Sequence, residues 1–188
     1  RDMKLACSLP VKPLLLAMAC AVLACPAVAG TPVTVDIANK YFANCVAGAQ
    51  KEGTMTAENR ERYCACTALN MHRAMTQEDL AKLNYQNDES RLVLNKILTD
   101  VNGPCMEYPV HDLLMKKCMT DLKNQAICEC VSTKMGRFTA QQSRQIMPKL
   151  LEANPNLFAP LTPIMESQEF QQTQQQIALS CATNPNQK

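Results

Sequence analysis

The cysteines downstream of residue 29 form two sets of four that share one internal order. Each set contains a lone cysteine, then a Cys-x-Cys pair, then a distant lone cysteine. Cysteines in so regular an arrangement are typical of a disulfide framework formed outside the reducing cytoplasm. The repeated order therefore predicts a duplicated, disulfide-stapled unit. The residues are Cys45, Cys64, Cys66 and Cys105 in the first set and Cys118, Cys128, Cys130 and Cys181 in the second.

The first 29 residues have the features of a secretory signal peptide. Lys4 and Lys12 supply a basic segment, and the apolar run from Leu14 to Leu23 has the length of a signal-peptide core. Ala27-Val28-Ala29 places small residues at the two positions that a signal peptidase reads, which predicts cleavage before Gly30. The apolar run is too short to span a membrane, and we expect no transmembrane segment downstream of it.

A lipid anchor is the alternative outcome of export. Val22-Leu23-Ala24-Cys25 resembles a lipobox, whose cysteine would be lipidated to give an outer-membrane lipoprotein. Pro26 follows directly, and the better peptidase site lies four residues further on. We therefore favour a periplasmic or secreted protein over one anchored at Cys25.

The charge balance disfavours nucleic acid and anionic membranes as partners. The whole chain has 19 basic and 17 acidic residues, and removal of the leader leaves 16 of each. No basic stripe stands out in the remainder, whereas binding to a phosphate backbone requires one. We expect a protein partner instead.

The spacing of apolar residues predicts helices throughout, because they recur every three or four positions and nowhere alternate. In the first unit, residues 54–58 interrupt a first helix, and a second helix is expected from about Ala57 to Ala74. Thr76 has the sequence context of a capping box that begins a third helix. A fourth helix is expected from about Ser90 to Val101, with Gly103 as its left-handed cap.

The second unit repeats this plan and then diverges. Gly136 is expected to end its second helix, and Thr139 to cap its third. The last helix is expected from about Ile164 to Cys181, with a solvated face rich in glutamine, namely Gln171, Gln172, Gln175 and Gln176. The longer connection before it is interrupted by four prolines, Pro148, Pro155, Pro160 and Pro163.

The predicted domain organisation is therefore a signal peptide at 1–29, a first four-cysteine helical unit at 30–108 and a second at 109–188. Each unit is under about 80 residues, a size at which a hydrophobic core alone is marginal and disulfides contribute much of the stability. We predict an all-α protein of two four-helix units packed into one compact body.

The Cys-x-Cys pairs constrain the disulfide pattern. Two residues on one helix that are two positions apart point about 200° apart around its axis, so they cannot bond to the same neighbour. One member is expected to bond the first-helix cysteine, Cys45 or Cys118, and the other the terminal cysteine, Cys105 or Cys181. Which member bonds which cysteine is left open, because four cysteines allow three connectivities.

Part of each unit resembles small secreted bacterial helical domains of unknown function. The residues that carry the resemblance are Tyr41-Phe42-Ala43-Asn44-Cys45, Tyr63-Cys64-Ala65-Cys66 and Met75-Thr76-Gln77-Glu78-Asp79-Leu80. The resemblance extends to about the third helix of each unit. Ile127 replaces the motif tyrosine in the second copy. The resemblance implies no activity and no catalytic residue.

Two kinds of chemistry remain as alternatives to structural cysteines. A Cys-x-Cys pair can serve as an exchangeable disulfide when its thiols titrate low. A metal site could use Cys64, Cys66 and His72 with the thioethers of Met71 and Met75, since paired thioethers suit Cu(I). We favour structural disulfides and core methionines, with His72 and His111 as surface or capping groups, and we assign no metal and no cofactor.

The function that we favour is that of a non-enzymatic binding or structural protein of the bacterial periplasm or cell envelope, or a subunit of a larger assembly there. The sequence contains no Ser-His-Asp set, zinc-protease motif or phosphate loop. An exposed apolar strip that includes Met115 and Met119 is expected to be the contact surface. The alternative is a periplasmic thiol-disulfide or copper-handling protein that uses the Cys-x-Cys pairs.

Overall fold

The computed structural model describes residues 30–85, 87–157 and 159–185. The predicted signal peptide and the Cys25 lipidation site lie outside these residues. The described chain is mostly helical and contains no strand, which confirms the all-α prediction. Its helices are α1 (Val35–Glu52), α2 (Ala57–Ala74), α3 (Gln77–Lys82), α4 (Asp88–Lys96), α5 (Glu107–Asp121), α6 (Gln125–Ala153), α7 (Leu161–Glu166) and α8 (Gln168–Thr183).

The boundaries of the first helices follow local capping signals. The Thr34 hydroxyl caps α1, and Gly53 ends it with a φ of 63°, a conformation that glycine adopts without strain. The Thr56 hydroxyl caps α2, whose predicted bounds are confirmed. The predicted capping box is also confirmed, since Thr76 accepts from the backbone of Asp79 while the Asp79 carboxylate accepts from the backbone of Thr76.

The end of the fourth helix differs from the expectation. After Lys96 the chain forms a π-helical turn at Ile97–Asn102 and a 3₁₀ turn at Gly103–Cys105. Gly103 has a φ of −51°, so the predicted left-handed cap is wrong. A Cβ at Gly103 would lie 2.9 Å from the Cβ of Ser143 on α6. Glycine occurs here because α6 packs directly against this turn.

The predicted break at Gly136 is also wrong, because α6 continues through it to Ala153. A Cβ at Gly136 would lie 2.6 Å from the carbonyl oxygen of Glu107, so this glycine lets the start of α5 pack closely on α6. Thr139 begins no helix. Its buried hydroxyl donates to the carbonyl of Met135, one turn earlier in the same helix, at 2.8 Å.

The proline-rich connection is shorter than expected. Pro148 lies inside α6, although proline removes one helical hydrogen bond. Met147 and Leu151 are buried in the core on either side of it, so packing holds the helix together there. The last predicted helix is divided at Ser167, whose extended backbone separates α7 from α8.

Replacement of Gly136 by alanine is expected to lower the free energy of unfolding by about 1–3 kcal/mol, because the new methyl group would overlap the Glu107 carbonyl. Urea unfolding of the chain from Gly30 onward measures this change. Gly48 is the matched control, since it lies in α1 with no atom within 4 Å of an added Cβ. Gly48→Ala should stabilise the protein by about 0.5–1 kcal/mol. Equal effects of both substitutions would contradict the close packing of α5 on α6.

The hydrophobic core joins the two predicted units. The larger cluster of buried side chains comes mainly from α5, α6, α7 and α8, but it also includes Leu98 and Met106. These two residues precede residue 109, so the described helices pack into one compact body, as predicted. The division into 30–108 and 109–188 stays a prediction. A smaller cluster of buried side chains consists of Val33, Met71, Met75, Val93 and Val101.

The disulfides have the same pattern in both halves of the chain. The first cysteine of each Cys-x-Cys pair bonds the lone cysteine before it, and the second bonds the lone cysteine after it. Each central helix, α2 or α6, is therefore held covalently on two sides. The sequence left open which member of each Cys-x-Cys pair bonds which lone cysteine, and both pairs have the same connectivity. The four bonds are Cys45–Cys64, Cys66–Cys105, Cys118–Cys128 and Cys130–Cys181.

Candidate functional site

A predominantly apolar groove of about 770 Å³ lies between α5 and α8. Leu114 and Val131 are buried and form its bottom, whereas Leu122 and Leu179 stand at its two rims. Leu179 is 72% exposed, more than any other large apolar side chain in the described residues, and Leu122 is 61% exposed. We call this surface the α5–α8 groove; its lining residues are Leu114, Lys117, Cys118, Asp121, Leu122, Ile127, Val131, Gln174, Gln175, Ala178, Leu179 and Ala182.

Two disulfides brace the walls of the α5–α8 groove. Cys118–Cys128 joins α5 to α6, and Cys130–Cys181 joins α6 to α8. Both walls are therefore attached covalently to the same central helix. A surface held in this way loses little conformational entropy when it binds a partner.

The polar groups of the groove are few and lie toward solvent. Lys117 and Asp121 are exposed on the α5 side, and Gln174 and Gln175 lie on the α8 side. Exposure of Gln171, Gln172, Gln175 and Gln176 confirms the predicted solvated face of the last helix. The groove thus offers an apolar bottom with one positive and one negative side chain at its edge.

A second site, which we call the Asp112 junction, lies where α2, α5 and α6 meet. Asp112 Oδ2 accepts from the backbone N–H of Thr56 at 2.6 Å and from its hydroxyl at 2.9 Å. Oδ1 accepts from Asn59 Nδ2 at 2.5 Å and lies 3.0 Å from His111 Nδ1. The opposite ring nitrogen, His111 Nε2, is 3.5 Å from Glu129 Oε1 on α6. The Asp112 junction therefore consists of Thr56, Asn59, His111, Asp112 and Glu129.

The electrostatics of the Asp112 junction favour an ionised carboxylate. Burial raises the pKa of Asp112, but hydrogen bonds from Thr56, His111 and Asn59 outweigh burial and place the pKa below its ordinary value. The carboxylate also lies at the N-terminus of α2, where the helix dipole stabilises negative charge. Asp112 thus acts as a long-range cap that ties α5 to the start of α2.

The cysteines considered as metal ligands or exchangeable thiols are all in disulfides. Cys64 and Cys66 bond different partners, so neither presents a thiolate. Met71 and Met75 are buried in the smaller core cluster. His72 Nδ1 donates to the carbonyl of Val33 at 2.5 Å. Within the described residues, no three His, Cys, Asp or Glu side chains come together as a metal site.

The predicted contact surface differs from the groove that the structure contains. Met115 and Met119 are half-buried, and neither lines the α5–α8 groove. Met115 instead contacts the hydroxyl of Ser132 on α6. Leu122 follows Cys118 by four residues. This spacing predicts that the two side chains lie on one face of the helix and point toward the core. The exposure of Leu122 arises because α5 ends at Asp121 and the chain turns away toward α6.

No protein-family model matches this chain, and no curated protein or solved structure is significantly similar to it. The resemblance of the Tyr-Cys-x-Cys segment to secreted helical domains stays a prediction. None of the described helices combines the length and the apolarity that crossing a membrane requires. The four disulfides are compatible with an extracellular or periplasmic protein.

Proposed function

We propose that this chain is an exported, non-enzymatic binding protein of the bacterial periplasm or cell envelope, and that the α5–α8 groove joins it to another protein. The observation that carries the proposal is the pair of exposed leucines, Leu122 and Leu179, on opposite rims of a disulfide-braced apolar groove. Full burial of one leucine side chain contributes about 1.5–3 kcal/mol, so covering both would be a substantial driving force for association.

A protein partner fits this surface better than a small ligand does. A small ligand enclosed at the groove bottom would contact Leu114 and Val131 but leave the rim leucines in water. An apolar helix face laid along the groove would contact the bottom and both rims together, which is the usual way that a helix binds a hydrophobic groove. Export to an oxidising compartment agrees with the disulfide pairing of all eight cysteines in the described residues.

The alternative function is thiol–disulfide exchange or copper handling. One observation favours it: Cys118 is half-buried and lines the α5–α8 groove, where a bound thiol could reach it. Against it, the sulfur partner Cys128 is fully buried, and so are Cys64 and Cys105 in the other half of the chain. Mass spectrometry after mild reduction and alkylation, together with a copper assay, separates the two functions, since the alternative requires accessible thiols or bound copper in the purified protein.

Photo-crosslinking in the cells that export the chain tests the proposed function. A benzophenone amino acid placed at Leu179 or Leu122 should form protein adducts, because a bound partner covers these positions. Leu92 on α4 is the matched control, since it is 68% exposed and lies outside the groove. Adducts of equal yield at all three positions, or at none, would contradict a binding role for the groove.

A further inference from the structure

We propose that the protein bound in the α5–α8 groove is a second copy of this chain, packed about a twofold axis with the two α5 helices antiparallel. This inference rests on the proposed function, since it names the partner of the same surface. In a twofold interface one patch faces its own rotated copy, so every feature of the patch must complement itself. The charges and the leucines of the groove both meet this condition.

The charges at the groove edge are self-complementary. Lys117 and Asp121 lie four residues apart on α5, and both are exposed. Neither makes an ion pair with any residue that the structure describes. Within one helix, an ion pair is less favourable when the basic residue precedes the acidic residue by four positions than when it follows it. Antiparallel α5 helices place Lys117 of each copy opposite Asp121 of the other, so both charges gain a partner.

The same register places leucines over apolar surface. When Lys117 lies opposite Asp121 of the second copy, Leu122 reaches the turn of α5 that contains Leu114 and Cys118. Leu179 then contacts the inserted α5 from the opposite rim. The order of helices across the contact is α8, second-copy α5, α5 and second-copy α8. Because this order is the same from either copy, association closes at two chains and covers both grooves.

Long-range electrostatics permit the association. The chain from Gly30 onward carries 16 basic and 16 acidic residues, so two copies approach without net repulsion. The groove edge has no excess of positive or negative charge. An edge that binds a strongly charged partner would carry an excess of the opposite charge. A second copy therefore satisfies the apolar and the charged features of the groove together.

Sedimentation equilibrium of the mature chain, with its disulfides intact, tests the twofold contact. We expect a dimer, and Lys117→Asp or Asp121→Lys alone should each weaken it by about tenfold, because each places two pairs of like charges together. The double variant Lys117→Asp/Asp121→Lys should recover affinity to within about threefold of the original, since the reversed charges again face each other. Leu179→Glu should weaken the dimer by about thirtyfold or more, and Leu92→Glu should not change it.

The outcomes separate this inference from the proposed function. A monomer at every concentration, or a dimer that ignores both single charge reversals, would overturn the second-copy proposal. If Leu179 then crosslinked to a different protein, the binding function would stand with another partner. A crosslinked adduct that has twice the mass of the chain, and whose peptides all come from this chain, would support both the binding function and the second-copy proposal. Unchanged thermal unfolding of each variant at a concentration where the original protein is monomeric shows that the fold is intact, so a loss of dimer reports on the contact.

Discussion

Replacement of both Cys130 and Cys181 by alanine is expected to lower the free energy of unfolding by about 4 kcal/mol. The bond between them spans 51 residues, the longest of the four loops. A longer loop restricts the unfolded chain more, so its release favours unfolding more strongly. The loss is close to the whole stability of many small proteins. Urea unfolding of the double variant beside the original protein measures it.

The matched control removes the shortest loop. Cys118 and Cys128 are 10 residues apart, and their replacement by alanine should cost about 3 kcal/mol on the same chain-entropy basis. Both bonds tie a helix to α6, so the comparison isolates loop length as far as this chain allows. If the short-loop variant were the less stable of the two, local packing around α5 would outweigh chain entropy.

Replacement of Asp112 by alanine is expected to destabilise the protein by about 3 kcal/mol. The buried carboxylate accepts hydrogen bonds from Thr56 and Asn59 and contacts His111, and its removal leaves these groups without their partner. The start of α2 would also lose its link to α5. Thermal or urea unfolding at neutral pH measures the change. Glu61→Gln on the exposed surface of α2 should have almost no effect and serves as the control.

The same carboxylate predicts how stability depends on pH. Because the pKa of Asp112 is lower in the folded chain, its contribution is complete above the unfolded pKa of about 4 and is lost as the pH falls through the folded value. The difference in stability between the original protein and Asp112→Asn should therefore be constant above about pH 5 and shrink at lower pH. His111 faces position 112 in both proteins, and its opposite ring nitrogen faces Glu129. A difference that grew toward acid pH would contradict the assignment.

Local signals in the sequence were reliable where a few neighbouring residues decide the structure. Thr76 begins α3 as predicted, because its hydroxyl accepts from the backbone N–H of Asp79, three residues further along the chain. The glutamines of α8 face water because their spacing places them opposite the buried Phe170 and Cys181. Each of these outcomes depends on residues that belong to a single helix and its cap.

The same signals misled where distant segments meet. Gly136 and Gly103 have the sequence context of helix ends, yet both are glycines because another segment packs against them. Pro148 would interrupt an isolated helix, but buried neighbours keep α6 continuous through it. Asp112 accepts a hydrogen bond from Thr56, which lies 56 positions earlier in the sequence, and no local sequence pattern predicts that contact.

The sequence by itself determined that the described part of the chain is predominantly helical and that its cysteines fall into two equivalent sets, because helix periodicity and cysteine order are properties of the linear chain. The tertiary structure alone decided which cysteine of each pair bonds which partner, where α6 ends, and that Leu122 and Leu179 remain exposed across one groove. The physical reason is that these features depend on which helix faces end up in contact. Those contacts depend on the packing of the whole core and cannot be predicted from any single segment of the sequence.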